Sequence, residues 1–184
     1  IVQNVSGQPF EDYMADHIFK PLGMENSGFQ LEGKLLEQLA TGYDSTGEAY
    51  DPYVYIPSVM PHGGMLSTGE DMGKFMLAFL NEGTLESKRI LTKQSVEDMS
   101  EYRSAIHPIM PNTTYGFEAA AQLPQAGSSK KILTKLGDLP GNSSMLLFLP
   151  DEEVGVFLTH NTQGIVRDLF YPQFMATFFP EIGR

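Results

Sequence analysis

The sequence predicts an α+β fold in which antiparallel strands, at about residues 115–160, pack against helices. Apolar residues recur at helical spacing near residues 9–19, 69–81 and 165–179. From Tyr115 onward, short apolar runs alternate with turns, which is the pattern of sequential strands. Strands joined by short turns pair in an antiparallel manner, so we expect three or four such strands to form one small sheet.

The first predicted helix begins near Pro9, because proline suits the first helical turn, and ends at Pro21 and Gly23. Spacings of three and four residues place five side chains on one apolar stripe. The stripe consists of Phe10, Tyr13, Met14, His17 and Ile18. We therefore expect His17 to be a packed core residue.

The second predicted helix has a capping box in Ser67-Thr68-Gly69-Glu70, with Ser67 as the cap and Glu70 reaching back to it. Its buried stripe comprises Met72, Phe75, Met76, Phe79 and Leu80, and Gly83 ends it. A third helix is predicted from Lys93 to Met99, capped by Thr92. Residues 25–66 are turn-rich, with strand-like pieces such as Tyr53–Ile56, and residues 100–114 are predicted to be a loop.

Four strands are predicted, at residues 115–119, 131–135, 143–149 and 154–160. The uninterrupted apolar run at 145–149 predicts a strand that is covered on both faces. The last two strands form a hairpin through a turn at 150–153. The closing helix contains Pro172, which is expected to kink or split it.

Composition excludes several classes of function. The formal net charge of −11 and the scattered basic residues exclude a typical nucleic-acid partner. The sequence has no cysteine, so disulfides and thiolate metal sites are excluded. No apolar run approaches the roughly 20 residues that a membrane span needs. The histidines lie far apart, and we predict neither a metal site nor a cofactor.

The run Lys135-Leu136-Gly137-Asp138 is the most informative motif for chemistry. A cation at a strand edge attracts an anionic substrate. Gly137 has no side chain, so a substrate can lie flat against the strand. The backbone N–H of Asp138 is then placed to donate to a developing oxyanion. We predict Lys135, Gly137 and Asp138 as the catalytic-site residues of this chain.

Four segments together resemble the class C β-lactamase and penicillin-binding-protein family of serine hydrolases, over roughly residues 5–161. They are Ser6–Phe10 through Pro21–Met24, Ala40–Asp44, Gly63–Thr68 with Asp71, and Gly137–Gly141 with the hairpin ending at Asn161. The resemblance implies a partial β-lactamase/transpeptidase-like fold. It identifies residues 1–184 as the C-terminal part of one domain, with a helical and loop region at 1–114 and a sheet with a terminal helix at 115–184.

The family's nucleophile motif, Ser-x-x-Lys, has one match here, Ser128–Lys131, which falls in a predicted hairpin turn rather than at a helix start. The second motif, Tyr-x-Asn or Ser-x-Asn, has no match. The family places both before the Pro21–Met24 segment, so the resemblance puts them upstream of residue 1. The third motif is Lys or His, then Thr, Ser or Gly, then Gly. Lys135 and Gly137 match its first and last positions, and Leu136 departs from the small or hydroxyl residue of its middle position. We interpret His62-Gly63-Gly64 as a structural turn.

Two functions of different classes remain open. One is a piece of a serine hydrolase, a β-lactamase, D,D-peptidase or esterase, whose longer parent takes a small-molecule or peptide substrate. The other is a non-catalytic binding or regulatory module with the same fold. The resemblance also implies a bacterial parent that is extracytoplasmic or membrane-associated.

The missing N-terminal half of the domain is the expected partner. Its removal is expected to expose one face of the strand at 145–149 and part of the stripe made by Phe75, Met76 and Phe79. We therefore expect the chain to form a homodimer through this exposed seam, to swap elements, or to be ordered only when bound to its missing half.

Overall fold

The computed structural model describes residues 1–52, 60–107, 110–119, 131–162 and 164–180, and the structural statements below concern these residues. Two predicted features lie outside them. One is the strand-like piece Tyr53–Ile56, and the other is the Ser128-Ser129-Lys130 part of the Ser-x-x-Lys match.

Eight helices are present among these residues: α1 (Val2–Ser6), α2 (Phe10–Met14), α3 (Lys20–Leu22), α4 (Gly33–Glu37), α5 (Met60–Gly63), α6 (Gly69–Leu80), α7 (Lys93–Ser100) and α8 (Val166–Phe178). A π-helical turn, Ala15–Phe19, joins α2 to α3. The strands are β1 (Thr84–Leu85), β2 (Lys88–Arg89), β3 (Ala105–His107), β4 (Met110–Pro111), β5 (Glu118–Ala119), β6 (Leu133–Leu139), β7 (Asn142–Leu149) and β8 (Val154–His160).

The main sheet has four antiparallel strands in the order β5-β6-β7-β8, which confirms the predicted α+β class. β5 is shorter than predicted, because Gly116 adopts a φ of 120° and Phe117 bonds back to Thr114. β6 is longer than predicted and contains the whole motif. The short hairpin β3–β4 shows that the loop prediction for residues 100–114 is partly wrong. β3 is fully exposed, so it carries no alternating apolar pattern that would reveal it.

β7 is buried on both faces by helices of this same chain. Met145, Leu147 and Leu149 pack with Met175 of α8 on one face. On the other face Leu146 and Phe148 pack with residues of α6. The two-sided burial confirms the interpretation of the apolar run.

The predicted exposed seam, on the strand at 145–149 and the stripe of α6, is wrong. Met145–Leu149 are at most 9% exposed, and Met76 and Phe79 are 6% and 2% exposed. α6 and α8 already cover these side chains.

The first helix continues through Pro21 and ends at Gly23, whose φ is 65°. The π-helical turn adds one residue to a turn and so shifts the buried face. Phe19 and Leu22 enter the core, whereas His17 is exposed and its ring lies 4.3 Å from that of Tyr13. The prediction that His17 is a core residue is therefore wrong.

The N-cap of α6 is Thr68, not Ser67. Thr68 Oγ1 accepts from the backbone N–H of Asp71 at 3.2 Å. Glu70 lies 3.6 Å from Lys74 and does not cap the helix, so the predicted capping box is wrong by one residue. The cap predicted for α7 is confirmed, since Thr92 accepts from the N–H of Ser95.

The terminal helix α8 runs through Pro172 without a break. Apolar side chains on the inner face of α8 pack on the sheet. This packing compensates for the backbone hydrogen bond that the proline removes. Among the described residues, no helix has both the length and the apolar character that a membrane crossing requires.

Candidate functional site

The motif strand β6 has one open edge. β7 pairs with it along its whole length, from Leu133 to Leu139. On the other side β5 pairs only with Leu133 and Thr134. Within the described part of the chain, residues 135–139 therefore have no strand partner on their outer edge.

The motif side chains alternate between the two faces of the sheet. Lys135 pairs with Leu146 and so lies on the α6 face, together with Gly137. Leu136 pairs with Met145 and lies on the α8 face, where it is 45% exposed. Leu136, the residue that departs from the family's pattern, therefore lies on the face of the sheet opposite to Lys135.

The backbone N–H of Asp138 points to the open edge. Leu139 and Asn142 flank a two-residue turn, so they form a hydrogen-bonded pair, and the next pair, Asp138 and Ser143, is of the non-bonded kind. The N–H groups of a non-bonded pair face away from each other. Asp138 therefore presents a donor outward, which is the geometry that an oxyanion donor requires.

The carboxylate of Asp138 is engaged within the fold. Ser143 Oγ donates to it at 2.7 Å, and Arg167 Nη2 donates at 2.8 Å. Arg167 also donates to the carbonyls of Ser144 and Gly137, at 3.0 and 3.3 Å. Burial raises the pKa of Asp138, but the hydrogen bonds from Ser143 and Arg167 outweigh it, and the net pKa is lowered. Asp138 is thus held as an anion whose backbone, rather than its side chain, faces the open edge.

Lys135 lies beside a carboxylate. Its Nζ is 2.6 Å from Oε1 of Glu118 in β5, and the two side chains are about half exposed. The cation of the motif is therefore paired. Neither Glu118 nor Arg167 was among the predicted site residues, because nothing in their local sequence marks them.

Gly137 leaves one exposed position of the strand without a side chain. A Cβ at this position would lie 2.8 Å from Ser144 Oγ, its cross-strand neighbour. Apart from Gly137 and its two chain neighbours, no other heavy atom of the described residues lies within 4 Å of that point. The missing side chain leaves the backbone next to the Asp138 N–H accessible.

The Ala40–Asp44 segment docks at the turn end of the motif strand. A Cβ on Gly42 would lie 2.7 Å from the carbonyl oxygen of Gly141. Tyr43 N–H donates to the carbonyl of Asn161 at 2.9 Å, and Asn161 Nδ2 donates to the carbonyl of Thr41 at 2.8 Å. Two of the four segments that carry the resemblance therefore meet at one place.

A pocket of about 350 Å³ opens at the same end of the sheet. It is lined by Asp138, Leu139, Pro140, Ser143 and Gly164. The described residues contain no group of three or more histidine, aspartate or glutamate side chains that could hold a metal ion. His62 lies inside the single helical turn α5, which is closed by a hydrogen bond from Gly64 N–H to the carbonyl of Met60, in agreement with the turn interpretation.

Comparison with known proteins gives the family. The Beta-lactamase family model matches residues 1–173. The chain is 27% identical over 173 residues to Beta-lactamase-like protein 4 of Dictyostelium discoideum, an alignment that covers 89% of this chain and 29% of that protein. The bacterial origin stays a prediction, because this relative comes from Dictyostelium.

Two solved structures share the fold. A class C beta-lactamase superposes with a TM-score of 0.75 at 17% identity, over 95% of this chain and 53% of that one. The octameric penicillin-binding protein homologue from Pyrococcus abyssi superposes with a TM-score of 0.68 at 22% identity, over 87% of this chain and 35% of that one. This chain thus spans about half or less of the length of each of these proteins. By its sequence match and its fold, the chain belongs to the Beta-lactamase family.

Proposed function

We propose that the longer parent of this chain is a serine hydrolase that cleaves an acyl bond through an acyl-serine intermediate. The serine oxygen bonds to the carbonyl carbon, the leaving group departs with a proton, and water then releases the acid and restores the serine. The substrate is a small molecule or a peptide. This chain supplies the wall against which the acyl group lies.

Each predicted site residue has a role in this proposal. The N–H of Asp138 donates to the oxyanion, Gly137 admits the substrate backbone, and Lys135 lies beside the reacting groups. The observation that carries the proposal is the outward N–H of Asp138 on an open strand edge, next to a glycine. Membership of the Beta-lactamase family supports it.

We propose that residues 1–184 alone are inactive. Acyl transfer needs a nucleophile, its activating base and oxyanion donors held together. The sequence offers only Ser128–Lys131 as a nucleophile motif. Chain 1–184 and the parent should be incubated with a fluorescent penicillin and with a nitrophenyl ester. We expect labelling and turnover by the parent only, and stoichiometric labelling of Ser128 would overturn this proposal.

A non-catalytic binding or regulatory role is the second candidate. It is favoured by Leu136, which lacks the hydroxyl of the family's motif, and by the pairing of Lys135 with Glu118. The sequence upstream of Ile1 distinguishes the two roles. A Ser-x-x-Lys with a Tyr-x-Asn there supports an enzyme, and their absence supports the binding role.

A further inference from the structure

Glu118 is placed where the motif strand loses its neighbour. It is the β5 residue that lies closest along the sheet to Lys135, since it pairs with Thr134. Immediately before it, the chain leaves the edge, because the N–H and carbonyl of Phe117 bond to Thr114. Glu118 thus stands at the boundary between the covered and the open part of the edge.

The backbone of Glu118 is fixed from both sides. Thr134 Oγ1 donates to its carbonyl at 3.1 Å. The adjacent Ala119 N–H donates to the carbonyl of Asn112 at 2.6 Å. The carboxylate therefore starts from a defined position and reaches Lys135 Nζ at 2.6 Å.

The motif strand presents paired charges. Lys135 is matched by Glu118, and Arg167 is matched by Asp138. Leu136 adds no donor for an anion. The net charge of −11 of the whole chain adds a long-range potential that disfavours approaching anions. A substrate carboxylate would have to displace Glu118 from Lys135 before it could bind there.

We propose that Glu118 is a specificity-determining residue that makes this site select acyl donors without a carboxylate, such as neutral esters and amides. This proposal rests on the proposed function, because it assumes that the substrate binds at this site. It concerns the affinity for a ligand, so it can be tested without turnover. Glu118 is ion-paired with Lys135, the cation that would otherwise bind an anionic substrate. Removal of its charge should therefore open the site to anions and leave uncharged ligands unaffected.

The test uses benzoate and benzamide, which have nearly the same shape and differ in charge. Each is titrated into chain 1–184 and its Glu118→Gln variant, and the backbone amide shifts of Lys135 and Gly137 are followed by NMR. We expect Glu118→Gln to bind benzoate about three- to fivefold more tightly than the unchanged chain, the scale of one exposed ion pair. Benzamide affinity should change less than twofold.

Two further variants complete the design. Glu82→Gln is the matched control, because Glu82 is also a surface glutamate paired with a lysine, Lys93, away from the motif strand. It should leave benzoate binding unchanged. Glu118→Asp keeps the charge and should bind benzoate as weakly as the unchanged chain does.

Three results would overturn the specificity role: equal benzoate affinity in Glu118→Gln and the unchanged chain, an equal gain in Glu82→Gln, or an equal gain for benzamide. No turnover is needed for these measurements. A parent that fails to hydrolyse any ester would count against the proposed function alone.

Discussion

The carboxylate of Asp71 accepts a 2.7 Å hydrogen bond from the backbone N–H of Asn26, 45 positions earlier in the chain. Asp71 is fully buried at the start of α6. It also accepts from Ser27 Oγ at 2.9 Å and from Lys74 Nζ at 3.1 Å. One carboxylate thus fastens the turn after the first helix to α6.

Asp71→Ala should destabilise the fold by about 1–3 kcal/mol, because it leaves the backbone N–H of Asn26 without its acceptor. Urea denaturation followed by circular dichroism measures this. Glu70→Ala is the control, since that side chain is 78% exposed. A cost below 1 kcal/mol for Asp71→Ala would contradict the fastening role.

Gly42→Ala should destabilise the chain by about 1–3 kcal/mol, because the new methyl group would press on the backbone of Gly141. Gly73→Ala in α6 is the matched control. The methyl group of that alanine would meet no neighbouring side chain or strand of the described residues within 4 Å, so the change should stabilise the helix by about 0.5–1 kcal/mol. Opposite signs in the two melts are expected, and equal effects would show that the contact between Gly42 and Gly141 is not tight.

The acid stability of the fold should depend on Asp138. Its folded-state pKa lies below the ordinary value of 3.8, so its stabilising contribution is complete above that value and is lost as the pH falls below it. Asp138→Asn should remove that contribution and make stability less dependent on pH between about 5 and 2. At neutral pH we expect a loss of about 0.5–1 kcal/mol, because the carboxylate is largely exposed.

Thermal melts across this pH range provide the measurement, with Asp51→Asn as an exposed-aspartate control. A pH profile for Asp138→Asn that is superimposable on that of the unchanged chain would show that the contacts with Ser143 and Arg167 contribute nothing to the acid transition.

Lys135→Ala in the parent should lower kcat/KM by roughly tenfold or more, which is on the order of 1.4 kcal/mol of transition-state stabilisation. In the proposed function, this change removes the cation that lies beside the reacting groups. Ester hydrolysis is the assay, and Lys88→Ala, an exposed lysine on β2, is the control. An unchanged kcat/KM would make Lys135 an ordinary surface lysine.

Local sequence patterns correctly predicted the features whose cause lies within a few residues in the chain. The run at 145–149 predicted a strand covered on both faces, and Thr92 predicted the cap of α7, because both signals lie within a few residues of their effect. His17 was wrongly predicted to be buried, because the apolar spacing carries no signal for the π-helical turn that moves it to the surface.

The motif strand itself could be recognised, but its partners could not. Glu118 meets Lys135 across 17 positions, and Arg167 meets Asp138 across 29. Such pairs arise from the strand register and from the docking of α8, both of which are features of the tertiary structure. A single sequence carries no periodic signal for them.

The connection between Asn161 and Thr41 has a consequence for the order of folding. β6, β7 and β8 follow one another directly, so their pairing closes only short loops. The hydrogen bond from Asn161 to Thr41 spans 120 positions, and closing that loop costs more chain entropy. Contacts of high sequence separation form slowly unless other structure has already brought their ends together. We therefore expect the three-stranded meander to form first, and Thr41–Tyr43 to dock against it later and complete the turn end of the motif strand.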